Sequence, residues 1–383
     1  MNHLFGVGPI LSTRLVFLLA GLATAAWAPL VPFAKERLGV DAAVFGLLLL
    51  CLGIGSLLAM PVTGVLAARH GCRKVILVAA AVLAAAMPFL VLASTPLALG
   101  LTLAVFGAAV GTVDVAMNVQ AVAVEQQARR ALMSGFHGMF SLGGILGAGG
   151  VALALGAGLG TLATIGLGAA LVLALLALSA PGLLPSGSAA QGGGPLFVLP
   201  RGVVVLIGLM CFAVFLAEGA VLDWSALFLI RAQDIPAENA GLGYMMFAVA
   251  MTAGRLTGDR IVGGLGGPRV LALGGALAAA GFALTVAAPL PVLAFAGFAL
   301  VGLGASNIVP VLFSAAGAQT AMPASLAIAA VTTFGYAGML IGPAAIGLVA
   351  ERASLGAAFA GLAVALLALA LAGPGIVRRP SGV

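Results

Sequence analysis

The chain of 383 residues is 63% hydrophobic and 7% charged, and it carries 56 glycines. A soluble domain of this length does not tolerate such a surface, so the composition excludes a water-soluble enzyme or binding module and points to an integral membrane protein. The net charge of +6 does not indicate nucleic acid, because the basic residues stand singly or in short clusters between apolar runs, without interleaved aromatics.

Apolar runs recur at close to the roughly 20 residues that a spanning helix needs, without the short alternating segments of a barrel. Breaks at charges, prolines and glycine-rich turns predict twelve helices, at 11–33, 43–67, 74–94, 97–123, 132–156, 159–181, 203–230, 239–262, 269–288, 290–317, 323–349 and 354–373. No small-residue cleavage site follows the first run, so it reads as a retained helix. Cys51, Cys72 and Cys211 are far apart and lack metal spacing, and neither a disulfide nor a metal site is expected. Cys72 is placed in a basic loop.

The glycine-rich, polar stretch Pro181–Pro200 sits at the midpoint and reads as a linker. The expected organisation is a six-helix bundle at 1–181, a cytoplasmic linker at 182–200 and a second six-helix bundle at 201–383. With an even helix count both termini lie on one side. The terminal-side loops are assigned Arg14, Arg69, Arg73, Lys74, Arg129, Arg130, Arg201, Arg255, Arg260, Arg269, Arg378 and Arg379, against Lys35, Arg37, Arg231 and Arg352 on the other. The positive-inside rule then puts both termini in the cytoplasm.

Gly64 to Leu77 reads GVLAARHGCRKVIL, and about 190 residues later Gly254 to Leu271 reads GRLTGDRIVGGLGGPRVL, each following the second helix of its half. Internal duplication is a signature of secondary transporters, whose solute site lies near the bilayer midplane at the repeat interface. The first copy resembles the loop signature of the major facilitator superfamily, with Ala68 at the acidic position. The second copy keeps Asp259, flanked by Arg255 and Arg260. Within that superfamily the chain is similar to the fucose permease group and its uncharacterised bacterial relatives. The matching pieces are Asp114-Val-Ala-Met-Asn118, Leu132 to Gly144, Trp224-Ser225, Gly254 to Gly258 and Pro310 to Ser314. The resemblance implies an all-α polytopic fold, proton-driven import of a sugar-like solute, and a proton-coupling role for the fourth-helix carboxylate, Asp114. It also implies a cytoplasmic charge latch drawn from Arg69, Arg73, Arg255, Asp259 and Arg260. In one respect the chain departs from that group. Where the group has an acidic residue in its first helix, this chain reads Ala25-Ala26-Trp27-Ala28-Pro29, with no carboxylate.

The residues themselves lead to a similar reading. An ionisable side chain near the bilayer centre costs roughly 2.5–3.5 kcal/mol on insertion scales, so each one retained there has a partner or a use. Asp114 and Asn118, four apart, share a helix face, and a carboxylate in such surroundings can exchange a transported proton. His137 on the fifth helix can switch charge or bond a hydroxyl. On the seventh helix, Glu218 is the second expected proton-coupling group, and Trp224 offers an aromatic wall for a sugar ring. Asp223, about 140° from Glu218 on an ideal helix, lies nearer the external end. Asn307, Tyr336 and Trp27 complete the expected substrate-binding set. Each also has a plainer reading as packing, interfacial anchor or inter-helix glue.

The expectation is therefore a multi-pass protein of the bacterial inner membrane, a monomer whose partners are a small polar solute, protons and the bilayer, with no cofactor and no nucleic acid. Proton-driven efflux of amphipathic compounds is the alternative. Against it, the fifth helix holds FHGMFSLGGILGAGG, which lacks the Gly-Pro pair of the drug antiporters. A non-transporting sensor or an enzyme is disfavoured, since no H-E-x-x-H, G-x-S-x-G or G-x-x-x-x-G-K-[ST] match occurs and no soluble signalling domain is expected.

Overall fold

The structure, a computed structural model, describes residues 8–185 and 199–378. Residues 186–198 of the predicted linker and Arg379 lie outside the described residues. The regular structure described is entirely helical: α1 (Pro9–Ala25), α2 (Val31–Leu38), α3 (Ala42–His70), α4 (Cys72–Leu92), α5 (Pro96–Ala128), α6 (Met133–Gly156), α7 (Thr161–Ser179), α8 (Val203–Gln233), α9 (Leu242–Leu265), α10 (Gly267–Ala287), α11 (Pro291–Ala305), α12 (Ile308–Ala318), α13 (Ala324–Arg352) and α14 (Leu355–Arg378), with short 3-10 turns between some of them. Taking α1 with α2 and α11 with α12, eleven spans among the described residues are long and apolar enough to cross a membrane. The remaining helix, α9, is 24 residues long and holds Arg255, Asp259 and Arg260.

Two predicted helices are broken, and proline chemistry accounts for both places. Pro29 has no N–H to offer the carbonyl of Ala25, where α1 ends. Pro310 likewise leaves the carbonyl of Ser306 without its helical donor, and the turn at Ser306–Asn307 separates α11 from α12. Pro61, Pro88, Pro343 and Pro374 are accommodated inside their helices.

The described residues form two compact units. One comprises Met1–Arg129, Met139–Leu199 and Pro323–Ala329, the other Arg130–Gly138, Pro200–Met322 and Ala330–Val383. In the first, α3 packs on α5, α4 on α5 and α7, and α1 on α5 and α7. A Cβ on Gly107 of α5 would strike the carbonyl of Leu52 on α3, so these backbones meet with no side chain between them. In the second, α10 packs on α11 and α14, and α9 on α11. There a Cβ on Gly302 of α11 would strike the carbonyl of Phe247 on α9.

The loops after α3 and α9 are shorter than the sequence implies, since each is a single glycine. Gly71 (φ 80°, ψ 153°) and Gly266 (φ 79°, ψ 150°) take the same backbone conformation, one that side chains rarely adopt. Cys72, expected in a loop, is instead the buried first residue of α4. The two glycines are 195 residues apart, from 71 to 266. In that register Asp259 corresponds to Gly64, and Ala68 to Gly263, which replaces the register of about 190 read from the sequence copies.

Candidate functional site

Asp114 and Asn118 lie on α5 in the first unit. The Asn118 amide donates to the Asp114 carboxylate at 3.1 Å and to its carbonyl at 2.9 Å. Asn118 is buried, and its Oδ1 has no hydrogen-bond partner. The face shared by residues four apart is thus a polar pair within one helix. Two residues beyond Asn118 on α5, Gln120 ties elements together in a way that sequence reasoning missed: it donates to Thr13 Oγ1 on α1 at 3.4 Å and accepts from the backbone N–H of Leu184 at 3.2 Å. Trp27 is buried at the turn that follows α1.

The second unit holds a charge pair that spans two helices. Arg255 Nη2 lies 3.4 Å from Glu218 Oε1, with side chains only 10% and 13% exposed. Glu218 is the sixteenth of 31 residues in α8, and Arg255 the fourteenth of 24 in α9, so both sit near the middle of their helices. The sequence reading had counted Arg255 as a loop charge at a gate. Its position inside α9, against Glu218, corrects that placement. Withdrawing either partner from such a pair costs about 3–5 kcal/mol, because it strands the other charge in low dielectric.

Further groups surround the pair. His137, in the first turns of α6 and within the second unit, donates from Nδ1 to the carbonyl of Met133 at 3.0 Å, and its ring lies 5.7 Å from that of Phe313 on α12. It interacts electrostatically with Arg255. Tyr244 on α9 interacts with Glu218, Arg255 and Asp223, and no sequence signal had singled it out. Asn307, in the break between α11 and α12, uses its amide N–H groups on the carbonyl of Gly254 at 3.1 Å and on Ser306 Oγ at 3.0 Å. It therefore fixes the α9 backbone next to Arg255 rather than offering that amide to a solute. One turn beyond Arg255, Asp259 accepts from the backbone N–H of Gly135 at 2.8 Å, a carboxylate at the N-terminus of α6.

Other expected members stand apart. Asp223 is exposed on α8. Trp224, six residues from Glu218, projects about 120° away from it on an ideal helix. It lines a cavity of ≈ 790 Å³ together with Arg231, Gln233, Glu351 and Ser354, and its ring lies against Gly347. Glu218 and Trp224 are not brought together as one wall. Tyr336 on α13 packs its ring 6.1 Å from Phe215 on α8. Arg69 and Arg260 are exposed, and Arg73, in the first turn of α4, bonds the carbonyl of Leu184 through its backbone N–H at 3.3 Å.

The family model described as Major Facilitator Superfamily matches residues 14–266. The chain belongs to the major facilitator superfamily. An uncharacterised transporter of this superfamily from Yersinia pestis is 55% identical over 374 residues, covering 97% of both chains. An uncharacterised transporter from Sinorhizobium fredii is 37% identical, covering 92% of this chain and 94% of that one. Among solved structures, the fucose:proton symporter of E. coli superposes with a TM-score of 0.83 over 97% of this chain and 99% of that one. At 16% identity that likeness concerns the fold.

Proposed function

We propose that this protein is a secondary active transporter that couples the import of a small polar, sugar-like solute to protons by alternating access. The observation that carries the reading is the Glu218–Arg255 pair, two ionisable groups held near mid-helix where charge is expensive to keep. Asp114, with Asn118 on the same face, is the second protonatable group. The fold shared with a fucose:proton symporter agrees with this chemistry.

The chain is a multi-pass membrane protein, and the bacterial plasma membrane is its setting. We read it as two six-helix halves, 1–181 and 201–383, joined by a cytoplasmic linker at 182–200, with both termini cytoplasmic and the protein acting as a monomer. The backbone features that recur at a spacing of 195 residues support the duplication, and the distribution of arginines supports the orientation. Asp259 at the N-terminus of α6 is the best-supported member of a cytoplasmic latch, with Arg260 next to it on α9 and with Arg69 and Arg73 on either side of the Gly71 turn as its further members. His137 is the group best placed to meet solute hydroxyls beside the charge pair.

Reconstitution into liposomes with an imposed acid gradient tests the reading. Uptake of sugars, sugar acids and organic acids is followed together with internal pH. The expected result is solute-dependent proton entry that falls in Asp114→Asn and in Glu218→Gln. Gradient-driven uptake that survives both substitutions unchanged would remove the coupling assignment.

A further inference from the structure

Within the first unit, α3, α4 and α5 enclose a groove of ≈ 490 Å³ to which the proposed transport cycle assigns no part. Its wall on α4 is Val75, Val78, Ala79 and Val82, the i, i+3, i+4, i+7 stripe of one helix face. That wall stands open, with Val78 66% exposed, and on α5 Val105 is 50% exposed. Ala108 and Ala109 of α5 line it with side chains too small to fill it. The helices that carry the groove are long and apolar enough to cross a membrane, where acyl chains are the apolar material at hand.

One end of the groove is polar. His70, in the last turn of α3, and Lys74, in the first turn of α4, line it from either side of the Gly71 turn, and both are exposed. Arg69 and Arg73 stand next to them in the chain. No carboxylate is among the described residues that line the groove. With 21 residues α4 is about 30 Å long, the thickness of the hydrocarbon layer, so its first turn stands at headgroup level. From Lys74 to Val82 the groove follows that helix for about 12 Å, from the headgroups into the hydrocarbon. Topology alone accounts for basic residues at such a turn. It does not account for an apolar channel that begins beneath them.

We propose that the groove binds one anionic phospholipid, with an acyl chain along the valine stripe of α4 and the phosphate at Lys74 and His70. A phosphodiester is a single negative charge whose free oxygens only accept hydrogen bonds. Lys74 offers a full positive charge and three donors, and His70 a ring N–H. Basic pockets between spanning helices at the cytoplasmic side are suited to anionic headgroups, and the orientation proposed above puts this end of the groove in the cytoplasmic leaflet. The lining also selects among phospholipids. An ethanolamine headgroup brings an ammonium beside Lys74, and the groove offers it no carboxylate. A glycerol headgroup brings only hydroxyls, so phosphatidylglycerol is the occupant that fits. None of the residues assigned to the solute or the proton lines the groove, so the site does not depend on what the protein carries.

Native mass spectrometry of the purified full-length protein tests this, with dioleoylphosphatidylglycerol and dioleoylphosphatidylethanolamine added in equal amounts. One phosphatidylglycerol per chain is expected to be retained, in clear preference to phosphatidylethanolamine. Lys74→Gln should weaken its retention about fivefold, the effect of one surface lysine on an anionic lipid, while Lys74→Arg keeps it. Lys74 is exposed, so these changes leave folding intact. Ala108→Leu, which fills the groove, and Val78→Asn, which makes its exposed wall polar, should each weaken retention with every charge in place. Melting temperature in detergent alone confirms that both variants are folded. Glycerol 3-phosphate, the headgroup without its chains, should not displace the lipid. Equal retention of the two lipids overturns the proposal, as does retention of neither. Retention unchanged in the double substitution Lys74→Gln with His70→Gln removes the headgroup assignment, and retention unchanged in both groove variants removes the acyl chain. Displacement by glycerol 3-phosphate would make this a site for free phosphate compounds instead. A dimer that excludes lipid and dissociates in Ala108→Leu would give the groove to a second copy of the chain.

Discussion

The two units repeat backbone features but not the charges inside their helices. The single-glycine turns at Gly71 and Gly266, the bare contacts at Gly107 and Gly302, and the capped carbonyls of Ala93 and Ala288 all recur at 195 residues. Even the capping donors are near counterparts: Arg37 donates to the carbonyl of Ala93, and Gln233 to that of Ala288. The basic residues just after the turns, Lys74 and Arg269, keep the same register, but the ionisable groups deep within the helices do not. The first unit has a polar pair within one helix, Asp114 with Asn118, whereas the second joins Glu218 and Arg255 across two helices. Packing is a requirement both units share, so its devices are copied. Charge inside a bilayer is tolerated only where it has a task, so it is placed one group at a time.

Breaking the cross-helix pair should have the largest effect. Glu218→Ala is expected to lower stability by about 3–5 kcal/mol, read from unfolding in detergent, and the double substitution Glu218→Gln with Arg255→Gln should recover much of that loss. The shared packing comes next. Gly107→Val and Gly302→Val should each cost about 3 kcal/mol, and equally so, because each inserts atoms where a backbone carbonyl of a neighbouring helix already stands. Unequal losses would mean that the contacts are not equivalent. Gly71→Ala and Gly266→Ala should each cost about 1–2 kcal/mol through the strained turn, measurable as matched shifts in melting temperature. Asp114→Asn should change stability by less than about 1 kcal/mol, since an amide oxygen still accepts from Asn118, while removing proton coupling in liposomes.

The all-helical, multi-span character of the chain was legible from apolar run length, because a spanning helix has little freedom in how long it is. The breaks inside the first and tenth predicted helices were not, since Pro29 and Pro310 end helices while Pro61 and Pro343 do not. Whether a proline interrupts depends on neighbours that can satisfy the freed carbonyl, and those are remote in sequence. The same remoteness hid the site. Arg255 resembled a loop marker because charges were used to mark helix ends, and its partner Glu218 lies 37 residues away on another helix. The Asp114–Asn118 pair was readable because four residues on a helix fix a shared face. Trp224 misled by adjacency, since six residues turn it away from Glu218.

The turns at Gly71 and Gly266 also set where helix ends can stand. A connection of one residue reaches only two steps of about 3.8 Å between Cα atoms, far short of a hydrocarbon layer of about 30 Å. The end of α3 and the start of α4, like the end of α9 and the start of α10, therefore stand at one level, and each pair is a helical hairpin closed on a single glycine.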